Sequence, residues 1–188
     1  MIRFCLAAFA TMALLVSANG KLDAQDHPEP AILTIYGAIG EANRGASDAF
    51  DDAFLGFNGR AFDDAFEFTL GDLRALDQVT IETEVEGWPR RVTATGPLLS
   101  DVLATAGVDP SAIITAIALD GYGAALDPEA RASQEWVLAL EADGRPLALG
   151  GRGPAWLMYA SDTPVPTDAE GAWVWSVYLI EASLIQAQ

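Results

Sequence analysis

Gly150-Gly151-Arg152-Gly153-Pro154 is the stretch of this 188-residue chain whose residue types come nearest to a binding device. Glycines let the backbone approach an anion closely, and a guanidinium presents a fork of donors that fits a phosphate or carboxylate. The same residues serve equally as a tight connection carrying an exposed arginine, because GxGxxG spacing and a following helix are both missing. Trp88 lies between Gly87 and Pro89, a loop context in which an indole can stack on a ligand. Core packing is the other use for it, as for Trp136, Trp156, Trp173 and Trp175. Carboxylates come in pairs within a repeat: Ala49–Phe54 (AFDDAF) recurs as Ala61–Phe66, twelve positions later. Neighbouring aspartates diverge by about 180° on a strand and about 100° on a helix, so Asp51-Asp52 and Asp63-Asp64 need the fold to make them converge. No twelve-residue loop with alternating oxygen ligands and a central glycine supports a Ca²⁺ site. The repeat is expected to form two amphipathic turns with Phe50, Phe54, Phe62 and Phe66 inward and the aspartates solvated. Ca²⁺ binding and partner docking are the alternatives.

What is missing narrows the chemistry. His27 is the sole imidazole, beside Asp26 and Pro28 in a proline-containing leader, a poor place for a triad histidine. Cys5 is the sole cysteine and Lys21 the sole lysine. Zinc fingers, iron–sulfur sites and disulfide frameworks are excluded. Twenty-seven acidic residues against ten basic ones give a formal charge of −17. A phosphate backbone or an anionic lipid surface demands clustered Lys and Arg, so nucleic acid is not an expected partner. With 51% hydrophobic residues the chain can bury a core, and its length suits one domain.

Residues 1–24 read as a signal peptide. Arg3 supplies the positive start and Phe4 to Val16 is an apolar run broken only by Thr11, followed by small and polar residues. Cleavage falls after Gly20 or after Ala24. Thirteen residues are short of the roughly 20 needed to cross a bilayer, so no stable membrane span is expected after cleavage. The expected location is periplasmic or secreted. Removing 1–24 leaves 8 basic and 26 acidic residues, a charge of −18, with neither Cys nor Lys. Thiol, Schiff-base and P-loop lysine chemistry then lose their reagent.

The elements that must position the candidates are legible in outline. After a flexible leader at 25–30, a domain over 31–188 begins with a strand at Ala31–Ile39, whose two faces are Ile32, Thr34, Tyr36 and Leu33, Ile35. Residues 41–77 are acid-rich, with nine Asp/Glu against Arg44, Arg60 and Arg74. Thr69-Leu70-Gly71-Asp72 resembles a capping box opening a helix to Leu76, and Gln78–Val85 reads as a strand. A helix is expected over Pro97–Ala106, with Pro97 in its first turn and Gly107 closing it. Strands follow at Ile113–Leu119, Trp136–Glu141, Ala155–Tyr159 and Trp173–Ile180, with a hairpin turn at Asp143-Gly144. Many strands and few short helices imply a single, sheet-rich, mixed α+β domain.

Seven pieces in order carry a family resemblance: Leu33–Ile39 (LTIYGAI), Phe68–Leu76 (FTLGDLRAL), Gly96–Gly107 (GPLLSDVLATAG), Ala118–Tyr122 (ALDGY), Asp143–Leu147 (DGRPL), Gly153–Tyr159 (GPAWLMY) and the Trp-rich last strand. From about Ile32 to Ala182 the chain resembles the molybdopterin-binding oxidoreductase domain of sulfite oxidases and periplasmic methionine sulfoxide reductase catalytic subunits. It is similar to a short, stand-alone branch lacking the added dimerisation domain. The resemblance implies the mixed sulfite-oxidase-type fold. Catalytic members carry a molybdenum-ligating cysteine in a pattern like Cys-Val-Glu-x-Trp, and the matching stretch here is Glu84-Val85-Glu86-Gly87-Trp88. Glu84 therefore stands where the family would place its thiolate, and a carboxylate is a different class of ligand for molybdenum. The arginines available to a pterin phosphate are Arg90, Arg91, Arg131, Arg145 and Arg152.

Glu84, Trp88, Tyr122 and Arg152 are thus the candidate cofactor- or ligand-binding residues, with no catalytic residue and no metal ligand assigned. The leading expectation is an exported, non-redox module that binds a small anionic ligand or a protein partner and carries no cofactor. The alternative is a molybdenum-cofactor oxidoreductase in which Glu84 or a solvent oxygen replaces the thiolate. A signal lacking twin arginines weighs against export of a cofactor-loaded protein. A second alternative is an acidic surface or adhesion protein that docks through the AFDDAF repeat.

Overall fold

The computed structural model describes residues 29–184. The expected signal peptide and most of the leader, with Cys5 and His27, lie outside the described residues. Along the chain run β1 (Ala31–Gly37), α1 (Ala53–Phe57), β2 (Ala65–Thr69), α2 (Leu70–Ala75), β3 (Gln78–Thr83), β4 (Val92–Pro97), α3 (Leu99–Thr105), β5 (Ile113–Ala118), β6 (Gly123–Leu126), α4 (Pro128–Ala132), β7 (Trp136–Ala139), β8 (Glu141–Ala142), β9 (Arg145–Pro146), β10 (Trp156–Tyr159) and β11 (Val177–Ser183). No helix among the described residues is long and apolar enough to cross a membrane.

Five strands form one sheet in the order β2-β1-β11-β5-β6, in which β1 and β11 run parallel and every other pair antiparallel. β1 lies inside the sheet and both of its faces are buried. Leu33 and Ile35 enter the main core, while Tyr36 joins Leu55, Phe62, Ile117 and Leu179 on the opposite face. A four-stranded sheet β3-β4-β8-β9 and the pair β10-β7 complete the fold. β4 and β7 approach at Gly96, where an added Cβ would lie 2.1 Å from the Leu138 carbonyl oxygen. The architecture is a mixed, sheet-rich α+β fold, as the sequence implied.

Three local expectations need correction. Pro97 does not open the helix: it ends β4, opposite Gln78, and α3 starts at Leu99. Its missing N–H is tolerated at a strand end as readily as in a first helical turn. The last strand starts at Val177 rather than Trp173, because a 3-10 turn over Ala169–Ala172 and Ser176 at φ 50° hold residues 173–176 out of the sheet.

The two copies of AFDDAF also fold differently. The second runs into β2 and buries Phe62, while the first leads into α1, a single turn that points Leu55 inward. Phe50 is therefore 88% exposed and Phe54 only half-covered, resting edge-on against Tyr178 at 5.3 Å. Arg44 ties the copies together by binding Asp52 and Glu67 while its guanidinium lies 5.0 Å from the Phe62 ring. The repeat is a cover for the outer face of the large sheet rather than two equivalent turns.

Candidate functional site

Arg152 is placed by backbone on both sides. Its carbonyl accepts the Ser176 N–H at 2.9 Å, and Val177 N–H reaches Ala155 at 2.9 Å, so the glycine-rich turn is laced to the start of β11. Gly153 is required for this path: a Cβ there would sit 2.4 Å from the Leu147 carbonyl oxygen. The backbone of 152–155 is thereby fixed, and the exposed Arg152 side chain projects from a rigid base.

Three indoles receive its guanidinium. The Arg152 Cζ lies 4.6 Å from the Trp156 ring centroid and 5.2 Å from those of Trp88 and Trp175. Trp88 reaches this point because Gly87, at φ +86°, closes a turn in which Trp88 N–H donates to Val85. That turn is itself anchored to Val165, which exchanges backbone hydrogen bonds with Glu84 and Glu86. Trp88 also contacts Trp156 and Trp173 at centroid distances of 5.4 and 6.0 Å.

Most arginines among the described residues are engaged elsewhere. Arg44, Arg60, Arg74, Arg90 and Arg91 each pair with a carboxylate. Arg131 donates to the Pro110 and Ala112 carbonyls, at 2.8 Å each. Arg145 and Arg152 have no ion-pair partner among the described residues, and both line one cleft of about 590 Å³ together with Arg90, Gly151 and Trp156. Asp143, which pairs with Arg90, is the one carboxylate of that cleft.

On the other side of Gly151 lies a second cavity, of about 710 Å³, walled by Tyr122, Trp173 and Trp175. Tyr122 is held there by its hydroxyl, which donates to the Gly171 carbonyl at 2.5 Å, and by Asp120, which accepts its N–H at 2.9 Å.

Of the four residues singled out by sequence, the structure brings Trp88 and Arg152 into contact and sets Tyr122 across the adjoining cavity. Glu84 lines neither cavity; its carbonyl accepts the Val165 N–H at 2.7 Å, a structural role for its backbone. Sequence reasoning missed that Arg145 faces the same cleft as Arg152, and that Trp156 and Trp175 flank the guanidinium. The Asp143-Gly144 turn signal could have found Arg145, since a hairpin there throws residue 145 back alongside residue 142.

The donor set does not fit the molybdenum centre that the resemblance implies. Such a centre takes a soft thiolate from the protein, whereas the position offers Glu84, a hard oxygen ligand. Among the described residues no group of three His, Cys, Asp or Glu side chains is placed to hold a metal ion.

No family model matches the chain, and no curated protein matches it. Among solved structures, the sulfane dehydrogenase SoxCD from Paracoccus pantotrophus is similar over 80% of this chain, with a TM-score of 0.53 and 18% sequence identity. The match covers 37% of that protein, so this chain spans well under half of its length. At such identity the likeness shows a shared fold. It carries no residue-level role across.

Proposed function

We propose that this chain is an exported, non-redox module that binds a small anion in the cleft of Arg152 and Arg145. One observation carries the reading: in a protein of net charge −17, Arg145 and Arg152, which among the described residues neither pair with a carboxylate nor, like Arg131, donate to backbone carbonyls, face the same cleft. Planar guanidinium groups suit phosphates and carboxylates, and the rigid turn beneath Arg152 lowers the entropic cost of fixing it. Export is supported by Arg3 and the apolar run Phe4–Val16. The non-redox character is supported by the carboxylate at position 84, where the family resembled here would carry a thiolate.

Calorimetric titration of the protein with inorganic phosphate and with benzoate tests the proposal. Binding of either that weakens about tenfold in Arg152→Gln and in Arg145→Gln is expected. Absence of binding by both anions at low ionic strength would sink it.

A second reading, a molybdenum-cofactor oxidoreductase, draws on the fold shared with a sulfane dehydrogenase. It is tested by metal analysis of protein purified from its native host beside a molybdenum-loaded control enzyme. Stoichiometric molybdenum would favour it over the anion-binding module.

A further inference from the structure

The two cavities that meet at Gly151 are opposite in character. The anion cleft holds Arg90, Arg145 and Arg152. The larger cavity has two carboxylate residues on its wall, Asp120 and Glu170, and neither arginine nor lysine. Its remaining character is aromatic, from Tyr122, Trp173 and Trp175, with Tyr122 and Trp175 each about half exposed. From these observations we infer that the 710 Å³ cavity is a site for a small organic cation, a quaternary ammonium.

Aromatic faces carry negative charge density and attract a cation that sheds its water easily; a quaternary ammonium does so and fills a roomy pocket. The aromatic wall is rigid rather than incidental. Tyr122 is tethered at its hydroxyl to Gly171 and at its backbone to Asp120. Trp173 is buried behind the cavity and packs edge-on against Tyr159 at 5.0 Å.

Polarity agrees with the aromatic wall. Asp120 and Glu170 place formal negative charge beside a low-dielectric surface, which strengthens their pull on a cation. The inference concerns a different cavity from the anion cleft and stands whether or not Arg152 binds an anion.

Calorimetry of the full chain with choline, and with its neutral carbon isostere 3,3-dimethylbutan-1-ol, decides the matter. The two probes share shape and hydroxyl and differ in charge. Choline is expected to bind about tenfold more tightly than the alcohol, the effect of one good cation–π contact with carboxylate support. The double variant Asp120→Asn, Glu170→Gln is expected to lower choline affinity about tenfold and leave the alcohol unchanged. Asparagine at 120 keeps the oxygen that accepts the Tyr122 N–H, so the wall should survive. Equal binding of both probes would show a merely apolar cavity and overturn the inference. So would choline binding indifferent to the double variant, or no choline binding at all. Should the variant fail to fold, the choline–alcohol comparison on the unmodified chain decides alone.

Discussion

The Arg152 guanidinium lies 4.6 Å from the Trp156 ring centroid and is positioned by indole faces instead of a carboxylate. The difference matters for what the arginine can do next. A carboxylate would neutralise the charge and occupy the in-plane N–H donors. A π face attracts the cation from above and leaves those donors at the edge of the fork free for another anion. Trp88 and Trp175, each 5.2 Å from the same Cζ, hold the group without using its donors either.

Replacing Arg152 should therefore separate charge from shape. Arg152→Lys keeps the charge but loses the planar stack and the fork, and it should bind inorganic phosphate more weakly than the parent yet better than Arg152→Gln. Arg152→Gln should lose about 1 kcal/mol of stability from the cation–π contacts, Arg152→Lys less because an ammonium still binds a π face, and both should change the intrinsic tryptophan emission. Urea titrations followed by fluorescence measure both effects. Identical phosphate affinity in lysine and glutamine variants would show that charge at 152 is irrelevant.

A second outcome concerns the framework under the site. Gly96 lies where β4 crosses β7, and a Cβ would meet the Leu138 oxygen at 2.1 Å and the Ala139 Cα at 2.8 Å. Both obstacles are backbone, which cannot swing aside. Gly96→Ala should cost about 3 kcal/mol or more, or abolish folding, whereas Gly45→Ala, with nothing within 4 Å, should be close to neutral. Thermal unfolding by circular dichroism compares the two directly.

How much of this was legible in sequence depended on how local the signal was. Thr69 and Asp72 do form the reciprocal cap, because that motif is closed within four residues. The strand at β1 and the Gly107 stop after α3 were visible for the same reason. Pro97 misled because one residue satisfies both a strand end and a helix start, and only the pairing with Gln78 decides. Phe50 misled because six identical residues take different structures when one copy precedes β2 and the other a single helical turn. The site was half visible. Arg152 among glycines announced itself, but Trp88, Trp156 and Trp175 come from three separate stretches and converge only through long-range contacts.

Salt should stabilise this protein at neutral pH. Two opposing effects decide the sign. The ion pairs Arg60–Glu181 and Arg74–Glu141 are partly exposed and weaken with salt, but such pairs contribute only about 0–1 kcal/mol each. Self-repulsion at a charge of −17 is spread over the whole surface and is screened as well. With seventeen excess charges, relief of repulsion outweighs the loss of pairing. The urea midpoint at pH 7 should rise between about 10 mM and about 500 mM sodium chloride, as the Debye length falls from about 30 Å to well under about 10 Å. A fall would mean that the few ion pairs dominate.

Acid removes the stability tied to particular carboxylates, and one capping residue makes that effect separable. Asp72 is held below the ordinary carboxylate value, first by the Thr69 hydroxyl, which donates to it at 2.7 Å, and then by the Thr69 N–H at 2.9 Å. Asp48, Asp109 and Asp143 are also lowered, chiefly by the Asp51 N–H, the Ser111 hydroxyl and the Thr93 N–H respectively. A carboxylate whose folded value lies below its unfolded value leaves the unfolded chain binding more protons in that window. Stability from these four groups is therefore complete above the ordinary value of 3.8 and is lost as pH falls through the depressed folded values. Thr69→Ala removes both the N-cap and the main cause of the Asp72 shift. At pH 7 it should cost about 1 kcal/mol. Between about pH 5 and about pH 2.5 the variant should lose less further stability than the parent, so the two urea-unfolding curves converge on acidification. A gap that stays constant with pH would show that the Thr69 cap acts without the Asp72 carboxylate.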